Sequence, residues 1–178
     1  MPPTTIVHDV REVYRGRAFR VSVDRVTLPS GHTANMDVIR HPGSVVLVPF
    51  TAAGEVVLIR QYRYVIDRDV WELPAGTLEP GEALEAAAAR ECEEEIGLVP
   101  GTVERIGALF PTPGFCDELM TFYRCTDLRP PAPDSTARKD DDEVLEPKTF
   151  PLAEVRAMLA RGDIVDMKTA AALTLITP

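Results

Sequence analysis

Apolar and polar positions alternate in short stretches from Ile6 to Arg40 (VREVYRG, AFRVSVDRVTLPSG, ANMDVIRH), with Pro29, Ser30 and Gly31 supplying a turn between two of them. This pattern predicts a small antiparallel lobe of hairpins over residues 1–43, followed by a main domain over 44–178. The main domain opens on Ser44 to Phe50 and Val56 to Tyr62, two runs rich in Val, Ile and Leu separated by TAAGE, which predict buried central strands. Trp71 to Pro74 reads as a further short strand, and GTLEPGE then breaks regularity. Good helix formers run from Ala83 to Ile96, with Gly97 placed as a C-cap. Strand-like segments follow at Val103 to Phe110 and Leu119 to Cys125. The Pro-rich, acidic stretch from Asp127 to Asp142 reads as a loop, and a strand resumes around Val144 to Phe150. Leu152, Val155, Met158 and Leu159 recur at helical spacing between Pro151 and Gly162, and a last helix spans Met167 to Ile176. The class is α/β or α+β.

Composition narrows the range of partners. With 45% apolar and 26% charged residues the chain has an ordinary globular balance, and 178 residues suit one domain with a small extra lobe. A net charge of -9 and a pI near 4.8 disfavour nucleic acid and anionic lipid as partners. An acidic protein that handles a phosphorylated substrate needs concentrated local positive charge, which divalent cations supply. Cys92, Cys116 and Cys125 form neither a CxxC pair nor a zinc spacing, and their odd number leaves no complete disulfide framework. With no apolar leader at the start and no apolar run of about 18 residues, the expected location is cytoplasmic.

The chemistry concentrates on the helix. Glu91, Glu94 and Glu95 are related by i, i+3 and i, i+4 and project from one side, while Ala89, Cys92 and Ile96 take another face that can pack on a sheet. Stacked like charges cost roughly 0.2 to 0.5 kcal/mol per pair unless a cation sits among them. Arg90, four before Glu94, is one such cation; a hard divalent ion taking carboxylate oxygens is another. A solvated acidic face is the ordinary alternative. Read from Gly76, however, G-TLEPG-E-ALEAAAA-RECEEEIGL resembles the Nudix box at Gly76, Glu82, Arg90, Glu91, Glu94, Glu95, Gly97 and Leu98. Its departure is Cys92, where the family has Ile, Leu or Val; a cysteine there is a small hydrophobe.

The resemblance implies a Nudix fold, a mixed sheet sandwiched between helices, and hydrolysis of a nucleoside diphosphate linked to another moiety. It implies Glu91 and Glu95 as direct metal ligands, with Glu94 and the Ala75 carbonyl nearby, Glu82 and Arg90 as braces, and Mg2+ as cofactor, with Mn2+ able to substitute. Three further segments resemble ADP-ribose pyrophosphatases and related nucleotide-sugar hydrolases. RQYRY ahead of WELPAG places Arg63 at the substrate's phosphates or terminal ribose, its alternative being a surface arginine. TPGFCDE puts Pro113 sixteen residues after Gly97, so that Pro113 and Gly114 shape a turn against the substrate rather than an ordinary Pro-Gly turn. DDDEVLEP offers Glu143 as general base or additional ligand, with Asp141 or Asp142 as alternatives, and the box glutamates serve as base in some relatives.

The implied reaction is hydrolysis of ADP-ribose to AMP and ribose 5-phosphate by metal-activated water, in a homodimer joined through the amino-terminal lobe. The same chemistry on a nucleotide sugar, CDP-choline or a dinucleotide is the near alternative, and a silent nucleotide sensor the distant one. An EF-hand built on DDDE fails on spacing. Phe19 is expected to pack in the core, Trp71 at the base of the box loop, and His8, His32 and His41 in surface or turn roles.

Overall fold

The computed structural model describes residues 4–135 and 144–176. They divide into two units: the described part of Met1–Gly43 with Leu109–Leu119, and Ser44–Ala108 with the described part of Met120–Pro178.

In the first unit β1 (Ile6–Arg15), β2 (Arg20–Thr27) and β3 (Thr33–Arg40) form an antiparallel sheet in the order β1-β2-β3. Gly31, at φ +85°, makes the turn between β2 and β3, a conformation that costs other residues a steric penalty. All ten residues of β1 are exposed, among them Ile6, Val7, Val10, Val13 and Tyr14. Phe19 departs from its expected core position. It is 40% exposed and lies against the Tyr14 ring, 6.1 Å between centroids, because it falls in the turn between β1 and β2 and not within a strand. The segment 109–119 is tied to β3 by a parallel bridge between Ile39 and Cys116 and by an ion cluster. Arg40 pairs with buried Asp24 and with Asp117 at 3.0 Å, and the His41 amide donates to Asp117 at 2.8 Å.

The second unit contains β4 (Ser44–Pro49), β5 (Glu55–Arg63), β6 (Arg68–Glu72), β7 (Ala75–Thr77), α1 (Leu84–Ile96), β8 (Thr102–Leu109), β9 (Met120–Thr126), β10 (Leu145–Pro151), α2 (Leu152–Arg161) and α3 (Met167–Leu175). One sheet, β7-β4-β9-β8, is mixed: β4 runs parallel to β9 and antiparallel to β7. The other, β10-β5-β6, is antiparallel. Side chains alternate across a strand, and the two core clusters divide along that alternation. Val46 and Val48 of β4 and Val56 and Leu58 of β5 join Val155 and Met158 of α2 and Ala172 and Leu173 of α3. Val45, Leu47, Val57 and Ile59 instead join Ala87, Ala88, Cys92 and Ile96 of α1. Strands covered on both faces read as continuous apolar runs, which is why β4 and β5 stand out in the sequence. Trp71 packs edge-on against Phe150, at 5.2 Å, beside the α2 and α3 core.

Two local expectations are corrected. The stretch expected to be irregular after Pro74 contains β7, which pairs Val45 with Gly76. On α1 the inward alanines are Ala87 and Ala88, and Ala89 is only half-buried. No helix of the described residues is long and apolar enough to cross a membrane.

Candidate active site

Helix α1 begins after Ala83, whose side chain makes no capping bond. Glu82 supplies the missing order: its carboxylate accepts the Glu79 amide at 3.1 Å, and its own amide donates back to the Glu79 carbonyl at 3.1 Å. The helix ends on Gly97 in the left-handed region, φ +71°, where its amide donates to the Glu93 carbonyl. Between these ends, Glu91 and Glu95 are 8% and 5% exposed. The three-glutamate face is therefore not a solvated surface, since burying carboxylates demands compensating charge or hydrogen bonds.

Arg90 provides much of that compensation. Its guanidinium grips Glu82 bidentately, at 2.8 and 2.9 Å, and donates from Nη1 to Glu91 at 2.7 Å and to Glu94 at 2.8 Å. Bidentate, charge-assisted bonds of this kind are the strong ones. They raise the Arg90 pKa, the bond to Glu82 contributing most, and they hold the Glu82 carboxyl below its ordinary range.

Strand β7 lies against the helix. The Ala75 amide donates to Glu95 Oε2 at 2.9 Å. A Cβ added to Gly76 would fall 1.8 Å from the Glu91 carboxyl carbon and 1.9 Å from Oε1, so the strand and the Glu91 carboxylate occupy this position together only because residue 76 has no side chain. Cys92 is fully buried in the core beneath α1, and contact with Cys125 together with burial raises its thiol pKa.

Beside the box sits a buried polar cluster that periodicity could not reveal. Glu72, 2% exposed, accepts from Arg63 Nε at 2.8 Å and from Lys168 Nζ. Lys168, 8% exposed, also pairs with Asp166 at 3.2 Å. Neighbouring Thr169 accepts the Leu73 amide at 2.8 Å. Arg63 remains 43% exposed at the side chain and feels the charge of Glu95.

Ala75, Glu82, Arg90, Glu91, Glu94 and Glu95 are thus brought together, with Arg63 near Glu95. Pro113 and Gly114 belong to the first unit, where with Phe110, Phe115, Met36 and Asp117 they line a cavity of about 500 Å³. Glu143, with Asp141 and Asp142, lies outside the described residues.

Among the described residues no group of three or more His, Cys, Asp or Glu side chains is arranged to hold a metal ion. In this arrangement Arg90 is the cation among the carboxylates. The donors nevertheless suit a hard divalent ion: two buried carboxylates beside a glycine that lets one of them lie against a strand, all of oxygen chemistry.

The NUDIX domain family model matches residues 40–172, and the chain belongs to this family and is a Nudix hydrolase. Enzymes of this class generally use divalent metals. It resembles the ADP-ribose pyrophosphatases. The Bacillus subtilis ADP-ribose pyrophosphatase is 30% identical over 162 residues, 91% of this chain and 86% of that protein. The Mycobacterium tuberculosis ADP-ribose pyrophosphatase is 34% identical over 155 residues, 86% of this chain and 74% of that protein. A solved ADP compounds hydrolase, 24% identical, shares the fold with a TM-score of 0.80 over 97% of this chain and 91% of its own.

The lowered Glu82 pKa gives a pH prediction. A carboxyl whose folded pKa is depressed contributes stability that is present above its unfolded pKa, about 4.3, and is lost as pH falls through the folded value. Melting temperature is expected to fall less steeply below about pH 4.3 in Glu82→Gln than in wild type; parallel acid limbs would show that the Arg90 grip stores no such energy.

Proposed function

We propose that the chain hydrolyses the diphosphate of ADP-ribose, with Mg2+ as the physiological metal and Mn2+ able to replace it, giving AMP and ribose 5-phosphate. The observation that carries the reading is the burial of Glu91 and Glu95 against β7, with Gly76 as the residue that permits it. The ADP-ribose assignment is supported by the two relatives of that activity and by the segments around Arg63 and Pro113.

Glu91, Glu95 and the Ala75 carbonyl would hold the metal, with Glu94 beside them. A divalent ion held by these groups would supply the positive charge that offsets the diphosphate and makes a water more acidic for attack. The chain's own work is positional. Arg90 keeps Glu82, Glu91 and Glu94 at fixed spacing through a single rigid guanidinium. Arg63, with its Nε committed to Glu72 and its outer face exposed, donates to the substrate's phosphates. Glu143 is the proposed general base, on the resemblance of the acidic loop alone, and Pro113 and Gly114 shape the turn against the substrate. Strand β1, at the edge of its sheet with Ile6, Val7, Val10, Val13 and Tyr14 exposed, supports a homodimer, since the outer edge of such a strand invites pairing with a second chain. The three free cysteines suit a reducing, cytoplasmic setting.

The test is a ranking of kcat/KM with Mg2+ across ADP-ribose, ADP-glucose, GDP-mannose, CDP-choline, diadenosine polyphosphates and nucleoside triphosphates. ADP-ribose is expected to lead. Another leader would keep the box chemistry and overturn the substrate.

A further inference from the structure

We infer that Lys168 is a positioning residue for the substrate's phosphates, acting through Glu72 on Arg63; this rests on the proposed role of Arg63 in holding those phosphates. The amino end of α3 is built around the segment that leads into β7. Asp166 caps the helix by accepting the Thr169 amide at 2.9 Å and the Thr169 hydroxyl at 2.6 Å. The same Thr169 oxygen takes the Leu73 amide, and the next residue in the chain, Pro74, offers its carbonyl to the Leu47 amide of β4 at 2.9 Å. The backbone from Leu73 to Ala75 is therefore pinned at successive residues by α3, by β4 and by Glu95 of the box helix.

Thr169 takes the Leu73 amide with its own hydroxyl, and Lys168 reaches past the capping Asp166, which it also pairs with at 3.2 Å, to the carboxylate of Glu72, so the buried pair does more than the backbone bond requires. Taking two such ions out of water is costly, and an apolar pair of the same volume is often as stable or more so. What an apolar pair could not do is direct a guanidinium. Glu72 has two oxygens, and Lys168 engages Oε2 while Arg63 Nε engages Oε1. Glu72 meets Arg63 through Oε1, with Oε2 turned to the Lys168 ammonium, whereas Glu82 meets Arg90 through both oxygens. The guanidinium is held by one edge, and its outward donors are left for an anion. Without Lys168, the carboxylate is released to take two Arg63 donors, and its charge is neutralised by Arg63 at the expense of the substrate.

The test is a double-mutant cycle on ADP-ribose binding, measured calorimetrically in EDTA so that no turnover intervenes, with kcat and KM measured in Mg2+ alongside. Arg63→Ala is expected to weaken binding about tenfold or more, the loss of a charged hydrogen bond. Lys168→Met is expected to weaken it by about three- to tenfold, mainly through KM, and Lys168→Arg to restore most of the loss. In the Arg63→Ala background, Lys168→Met is expected to change binding no further. A merely structural role for Lys168 would lower the melting temperature without producing that non-additivity. A full Lys168→Met effect persisting without Arg63 overturns the positioning role of Lys168 alone, whereas wild-type binding by Arg63→Ala overturns the role of Arg63 on which it rests. Should Lys168→Met fail to fold, Lys168→Gln, which removes the ammonium charge but keeps a polar group in the buried site, enters the same cycle with the same direction of effect.

Discussion

Glu95→Gln is expected to lower kcat by about a thousandfold or more, roughly 4 kcal/mol of transition-state stabilisation, with the fold intact. The substitution keeps size and shape, and a glutamine oxygen still accepts the Ala75 amide that Glu95 now accepts at 2.9 Å. What is removed is one negative charge among the carboxylates proposed to hold the metal. Circular dichroism should match wild type, and in the absence of divalent ions the melting temperature should equal or slightly exceed it, because like-charge repulsion on α1 is relieved. Near-normal turnover in a folded Glu95→Gln chain would remove Glu95 from the metal site.

Gly76→Ala is the second large effect, and it reaches the same centre through sterics alone. A methyl group at this position meets the Glu91 carboxylate at 1.8 to 2.2 Å, well inside contact distance. The carboxylate has little room to yield, since Arg90 holds Oε1 at 2.7 Å and the side chain is buried. Either Glu91 is expelled or β7 separates from α1, and both disorganise the site. Stability should fall by about 1 to 3 kcal/mol, as for overpacked interiors, while activity falls to the level of Glu91→Ala. The pair Gly76→Ala and Glu91→Ala should be strongly non-additive in activity, because each removes the same carboxylate from its place. Additive losses would mean that Gly76 serves something other than the seat of Glu91.

Much of this centre is legible in the sequence because its parts lie within one helical stretch. Glu91, Glu94 and Glu95 share a face by helical geometry, Arg90 is one turn from Glu94, and Gly97 ends the helix where its φ of +71° requires a glycine. The central strands are legible for a similar reason: β4 and β5 are covered on both faces and so carry unbroken apolar runs. What escapes depends on contacts between residues distant in sequence. Glu72 and Lys168 are 96 positions apart, and neither carries a local pattern that marks it as buried. Strand β7 is only three residues long and exists because β4 offers an edge to Ala75, Gly76 and Thr77. The run Ala86 to Ala89 covers a full helical turn with one residue type, so pattern could not tell that Ala87 and Ala88 face inward. Phe19 is a core residue by type, yet it falls in the turn between β1 and β2 and is left half exposed beside Tyr14.

The most direct test of metal-dependent hydrolysis at this box is product analysis of ADP-ribose incubated with the wild-type chain in EDTA, then with Mg2+ restored in excess. No cleavage is expected in EDTA, and equal amounts of AMP and ribose 5-phosphate once Mg2+ is present. Cleavage that continues undiminished in EDTA, or a chain that binds ADP-ribose yet leaves it intact with Mg2+, would contradict metal-dependent hydrolysis of this substrate.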